Sequence, residues 1–229
     1  MTNAADDKTI VREYFNATGF ERWRRIYGND ATVNKVQLDI RKGHQRTVDT
    51  VMGWLLADDN LQGLPVCDAG CGVGSLTIPL AQAGARVNAS DISEKMVSEA
   101  RDRALMELNA DQMPNFYISD LEELSGRFHT VICLDVLIHY PQSKMASMVE
   151  HLSSLAESRL ILSFAPKTLF YSALKKVGSF FPGPSKTTRA YLHAEQDVVK
   201  ILEAQGWEIA RNDLIKTRFY FSRILEAVR

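Results

Sequence analysis

The stretch VCDAGCGVGS, Val66 to Ser75, gathers Asp68 and three glycines, Gly70, Gly72 and Gly74, into one short run. Glycines at this spacing let a chain bend tightly and let a ligand approach the backbone. Amides left free at the start of a following helix would favour polar or anionic ligand groups. Asp91 follows Gly70 at about the ~20-residue interval expected of a carboxylate that accepts from both ribose hydroxyls. Its competing reading is a cap for the next helix. A second concentration of reactive groups is LDVLIHYP, Leu134 to Pro141, where Asp135, His139 and Tyr140 interrupt what otherwise reads as a buried strand. His139 either closes a core strand and caps the helix after it, or faces a ligand.

Positioning these groups is the work of an alternating pattern. Residues 8–27 read as two helical pieces divided at Thr18-Gly19, the second with Phe20, Trp23 and Tyr27 on one face. An amphipathic helix follows over 45–58. From Val66 onward short apolar strands alternate with helices. The last two strands, at WEIARN and RFYFSRILEAV, have no helix between them. Such alternation predicts a doubly wound α/β fold, closed by an antiparallel hairpin. Residues 1–44 read as an N-terminal helical arm or cap and 45–229 as the main domain. A cap insertion at 166–190 holds three of the chain's seven prolines beside aromatic and basic residues.

Composition excludes several classes. The chain has 229 residues, 45% hydrophobic and 24% charged, with a net charge of −1. That suits a globular domain and gives no support to a nucleic-acid binder. The longest apolar run is too short to span a bilayer. The N-terminus shows neither a signal nor a transit pattern, so a cytoplasmic protein is expected. Cys67, Cys71 and Cys133 complete no zinc pattern and read as small buried residues of a reducing compartment; no resident metal is expected.

The order of the glycines fits neither the G-x-G-x-x-G of dinucleotide folds nor a lysine-bearing phosphate loop. D-x-G-x-G-x-G with Asp91 downstream resembles motif I of class I S-adenosylmethionine-dependent methyltransferases. The resemblance implies a Rossmann-like seven-stranded sheet with its last strand antiparallel. It implies that Asp68, Gly70, Gly72 and Gly74 hold the methionine part of S-adenosylmethionine, and that Asp91 binds the ribose. Ile92 and Met96 would pack on the adenine, Asp120 would face its amino group beside Leu121, and Asp135 would point toward the methionine portion.

LDVLIHYP stands where base-modifying methyltransferases carry a proline-bounded amine clamp, which disfavours an amine acceptor. FNATGFERWRRIYG, the glycine loop and CLDVLIHYP together resemble the magnesium-protoporphyrin IX O-methyltransferase family of chlorophyll biosynthesis, nearly end to end. The resemblance implies methyl transfer to one propionate of magnesium protoporphyrin IX, with S-adenosylhomocysteine as the other product. Under it, His139 and Tyr27 are the expected catalytic residues. His139 would serve as orienter, base or ligand to the substrate's magnesium. Trp23, Arg41, Lys42, Phe170, Tyr171 and Lys175 are the expected acceptor-binding residues. It also implies functional contact with magnesium chelatase and at most a peripheral association with photosynthetic membranes. Two other readings stay open on the residues alone: a methyltransferase for another small carboxylate or hydroxyl, such as a quinone precursor, and a non-catalytic tetrapyrrole carrier.

Overall fold

The computed structural model describes residues 4–27, 33–58, 60–167 and 191–229. Seven strands form one sheet: β1 (Pro65–Ala69), β2 (Arg86–Asp91), β3 (Asn115–Ile118), β4 (Phe128–Cys133), β5 (Ala156–Phe164), β6 (Glu208–Lys216) and β7 (Phe221–Val228). Their order is β3-β2-β1-β4-β5-β7-β6. The first five pair in parallel, and β7 runs antiparallel to both β5 and β6. The expected α/β class, with the closing antiparallel hairpin, is therefore observed. The order reverses between β1 and β4, which opens a crevice at their carboxyl ends where ligands bind in such sheets.

The central strands are apolar on both faces because both are covered. Along β4, Val131 and Cys133 face one core while Ile132 faces the other. The first core is sealed by α6 (Gln142–Leu155) through Met145, Met148 and Leu152, and by α7 (Glu195–Glu203) through Val198 and Leu202. The second is sealed by α3 (Lys35–Asp58) through Val48, Val51 and Leu55, and by α4 (Thr77–Gln82) through Leu80. Pro79 is tolerated because it lies in the first turn of α4, where its missing N–H has no helical partner to lose.

α3 begins at Lys35, ten residues before the start expected at 45. The signal overlooked is a reciprocal cap: Asn34 Oδ1 accepts from the Gln37 amide at 2.9 Å, and Gln37 Oε1 accepts from the Asn34 amide at 3.1 Å. Gly43 interrupts the apolar period inside the helix and hid its first half. Ahead of α3 lie α1 (Ala4–Asn16) and α2 (Thr18–Tyr27). α1 docks by its C-terminal end on α5 (Glu94–Glu107): Ser93 Oγ donates to Asn16 Oδ1 at 2.8 Å and to the Phe15 carbonyl at 3.2 Å. Pro166 and His193 form an isolated β-bridge. Residues 168–190, most of the expected insertion, lie outside the described residues. Among the described residues no helix is long and apolar enough to cross a membrane.

Candidate active site

At the switch point the chain leaves β1 and turns through the glycine run into α4. Gly70 has φ 89°, and a Cβ there would collide with the Val136 side chain. Gly72 has φ 53° and only open space where a Cβ would stand. The loop therefore presents bare backbone to a cavity of about 530 Å³, lined by Gly70, Gly72 and Asp91 on one side and by Phe15, Trp23, Tyr27 and His139 on the other.

Asp91, at the end of β2, accepts from the Gly72 amide at 3.0 Å and from the Ser93 amide at 2.9 Å. Burial pushes its carboxyl up to about 6, against the pull of those amides. Ile92, Met96 and Leu121 supply an apolar wall beside it. Three expected cofactor residues stand behind this wall rather than in it. Asp68 is buried, and its Oδ2 accepts from Thr77 Oγ1 at 2.5 Å, tying the start of α4 to the end of β1. Gly74 packs against Ala100 of α5. Asp120 is buried, accepts from the Glu122 amide at 3.0 Å and so caps the short turn Leu121–Glu123. Each orders a lining segment without facing the cavity.

Asp135 lines the cavity, but its carboxylate is occupied. Oδ2 accepts from His44 Nδ1 at 3.0 Å and Tyr220 Oη at 2.7 Å; Oδ1 accepts from Ser163 Oγ at 3.1 Å and Ser222 Oγ at 3.2 Å. Two carboxylate oxygens offer about four acceptor sites, and all are taken. The expectation that this carboxylate reaches toward the cofactor is corrected: it organises the floor of the site.

His139 sits at the end of the 3₁₀ turn Leu137–His139. That turn is pinned from the other side: Tyr191 N–H donates to the Ile138 carbonyl at 2.7 Å, and His193 Nε2 lies 3.0 Å from the Leu137 carbonyl. Burial lowers the His139 pKa to about 4, opposed by the charge of Asp135, so the ring is neutral near pH 7. Its Nδ1 is buried and has no protein partner. Trp23 Nε1 is likewise buried and without a partner. Unpaired buried polar atoms are uncommon and destabilising in a folded protein. Both belong to side chains that line the same apolar cavity. Burial, and then Asp135, raise the Tyr27 hydroxyl well above its ordinary pKa, so it stays protonated and can donate.

The aromatic rings form a continuous belt. Centroid distances are 5.5 Å from His139 to Phe15, 6.4 Å from Phe15 to Trp23, 5.2 Å from Trp23 to Tyr27 and 4.1 Å from Tyr27 to His44. Sequence reasoning found His139, Trp23 and Tyr27. It missed Phe15 and His44, which lie in helical segments with no chemical motif to single them out.

The expected propionate cations are corrected. Arg41 is absent from the cavity wall: its Nε donates to the Ile26 carbonyl at 2.8 Å and its Nη2 to the Arg25 carbonyl at 2.6 Å, capping the C-terminus of α2. Lys42 is exposed and also outside the wall. Lys144 and Arg218 line the cavity instead. Arg218 arrives on the β6–β7 turn, where Asp39 Oδ2 accepts from Thr217 Oγ1 at 2.7 Å and from the Phe219 amide at 2.6 Å. Phe170, Tyr171 and Lys175 lie outside the described residues.

Two family models match the chain: "Magnesium-protoporphyrin IX methyltransferase C-terminus" over residues 133–229 and "Methyltransferase domain" over residues 66–158. A magnesium-protoporphyrin O-methyltransferase of Synechocystis sp. is 66% identical over 230 residues, covering 100% of both chains. A magnesium protoporphyrin IX methyltransferase of Arabidopsis thaliana, named as chloroplastic, is 59% identical over 97% of this chain and 71% of its own length. The crystal structure of magnesium protoporphyrin IX methyltransferase from Synechocystis with bound SAH superimposes with a TM-score of 0.90 at 64% identity, covering 97% of this chain and 99% of that one. A glycine loop at the switch point, an acid at the end of β2, a neutral histidine after β4 and full-length similarity agree: the chain belongs to the magnesium-protoporphyrin O-methyltransferase family of class I S-adenosylmethionine-dependent methyltransferases.

Proposed function

We propose that this chain transfers a methyl group from S-adenosylmethionine to a propionate carboxylate of magnesium protoporphyrin IX, giving the monomethyl ester for chlorophyll biosynthesis. One observation supports this reading above others: His139 and Trp23, each with a buried ring nitrogen that has no protein partner, line an apolar cavity beside the glycine loop.

The residues present fit the cofactor. Gly70 and Gly72 leave backbone open to close approach, Asp91 offers its carboxylate for ribose hydroxyls, and Ile92, Met96 and Leu121 form an apolar wall suited to adenine. When bound, S-adenosylmethionine supplies a methyl group activated by the sulfonium that carries it. A propionate resembles a glutamate side chain, with a pKa of ~4.3, and is already an anion at neutral pH. His139 therefore need not take its proton. A neutral imidazole donates a hydrogen bond that orients the carboxylate, and Trp23 Nε1 and the Tyr27 hydroxyl are further donors. Phe15, Trp23 and Tyr27 exclude water, which would otherwise mask the nucleophile by hydration. Arg218 and Lys144 are placed to meet acidic groups at the rim.

Helices α1 and α2 act as the cap of this site. Contact with magnesium chelatase and peripheral association with a membrane surface belong to the same reading and rest on the family resemblance. Incubation with labelled S-adenosylmethionine and magnesium protoporphyrin, followed by detection of the labelled ester, tests the activity. Label appearing only on a quinone precursor, or porphyrin binding without turnover, overturns it.

A further inference from the structure

Asp135 is the one non-glycine residue with a positive φ, 59°, among the described residues. L-residues adopt that backbone rarely, and strain of this kind gathers at functional sites. Burial alone would push its carboxyl up, but the hydrogen bonds from His44, Tyr220 and Ser163 outweigh it and hold Asp135 below the usual carboxylate range. An ionised Asp135 can only accept, so Nδ1 of His44 carries the proton and the imidazole is locked in tautomer and in plane. The surroundings are built for this contact. Gly43, next to His44, leaves the space that the Tyr220 ring fills, and Tyr220 is also held by Thr47 Oγ1 at 2.8 Å.

The locked imidazole meets Tyr27, centroids 4.1 Å apart and ring planes at 33°. The end of α2 is gripped beside it by two backbone contacts, Arg41 Nε to the Ile26 carbonyl at 2.8 Å and Arg103 Nη1 to the Tyr27 carbonyl at 3.2 Å. Those hold the main chain. The Tyr27 ring itself packs on Trp23 of the same helix at 5.2 Å and, across the fold, on His44. A buried polar pair of this kind is weak evidence for stability, since apolar replacements often serve as well; its distinctive gift is orientation.

We propose that His44 is a positioning residue: anchored by Asp135, its face seats the Tyr27 ring and holds α2 in register over the glycine loop. This rests on the proposed role of Tyr27 at the acceptor. The pair couples the carboxyl end of β4, which carries the His139 turn, to the cap helix that carries Trp23 and Tyr27, so both walls of the acceptor site share one reference point.

The test compares His44→Ala, His44→Phe, Tyr27→Ala and the double variant His44→Ala/Tyr27→Ala. The readouts are methyl transfer to magnesium protoporphyrin, binding of S-adenosylhomocysteine, and hydrogen exchange of residues 18–27. His44→Ala should lower kcat by about tenfold to a hundredfold, the scale of a small misplacement of reacting groups, while affinity for S-adenosylhomocysteine is kept. It should add little to the loss in Tyr27→Ala, because both act as one unit. Exchange across 18–27 should speed up while β4 and β5 stay protected. His44→Phe keeps a stacking face and should recover part of the rate; it also stands in should His44→Ala fail to fold. Fully additive losses, or exchange across 18–27 equal to the parent protein, overturn the proposal. Absence of ester formation by the parent protein would instead remove the functional reading, and the exchange data would still decide the positioning role.

Discussion

The imidazole of His139 meets the Phe15 ring edge-on, with centroids 5.5 Å apart and planes at 81°. Through this contact α1 closes over the turn after β4, and the Nδ1 of His139 is left buried and unpartnered. His139→Ala should therefore cut kcat by about a hundredfold, the scale of lost orientation, and leave affinity for S-adenosylhomocysteine intact. Steady-state kinetics beside calorimetry separates the two. A folded variant that no longer binds S-adenosylhomocysteine would contradict the assignment.

The same burial makes stability depend on pH. The folded pKa of His139 is lowered from the ordinary 6.5 to about 4. Between those values the unfolded chain binds the proton that the folded protein refuses, so stability is full above about 6.5 and is lost as pH falls toward 4. The loss is at most ~3 kcal/mol at ~1.36 kcal/mol per pKa unit, less the screening of a partly exposed ring. Asp68 and Asp91 slope the other way, since burial raises both to about 6. The informative quantity is the difference between the parent protein and His139→Gln in thermal melts from pH 4 to 7. It should shrink as pH falls; a difference independent of pH would refute the neutral histidine.

Asp91 should govern cofactor binding. Losing a charged hydrogen-bond acceptor is worth ~1.5–3 kcal/mol, so Asp91→Ala should weaken S-adenosylhomocysteine by about tenfold to a hundredfold. With its pKa raised to about 6, affinity in the parent protein should also fall as pH drops below that value. Calorimetric titration of both proteins across pH 5 to 8 checks the pair of effects. Unchanged affinity in Asp91→Ala would undo the ribose assignment.

Gly70 combines a φ of 89° with a Cβ position that the Val136 side chain already fills. Gly70→Ala should destabilise by ~1–2 kcal/mol from backbone strain alone, with the steric clash added. Combining it with Val136→Ala should relieve the clash and not the strain. Denaturant melts of the single and double variants test this; full recovery in the double variant would show that strain contributes nothing.

Arg218 is exposed, so its effect on acceptor binding should be modest. Arg218→Ala should raise KM for magnesium protoporphyrin by less than about tenfold, and added salt should narrow the difference between the two proteins. Titrating the acceptor at two salt concentrations decides it. A fall in kcat with KM unchanged would place Arg218 elsewhere.

The alternation of short apolar strands with helices was enough to specify the α/β sheet and its antiparallel closure, because hydrophobic period and turn residues are local signals. The glycine loop, Asp91 and His139 were legible for a similar reason: chemistry-bearing residue types stand at intervals that only certain ligands explain. Local signals failed where one residue has two uses. Arg41 reads as a propionate cation, but the end of α2 claims its guanidinium. Asp135 reads as a cofactor ligand, but four side chains from α3, β5 and the β7 region fill its carboxylate. Lys144 and Arg218 carry no mark in the sequence, and only the packing of α6 and of the β6–β7 turn brings them to the cavity. The sequence determined which chemistries the chain carries and the sheet that displays them. Which donor meets which acceptor depends on contacts such as His44 with Asp135, 91 residues apart, and the tertiary structure alone decided those, because hydrogen-bonding capacity is finite and is shared out only when the elements pack.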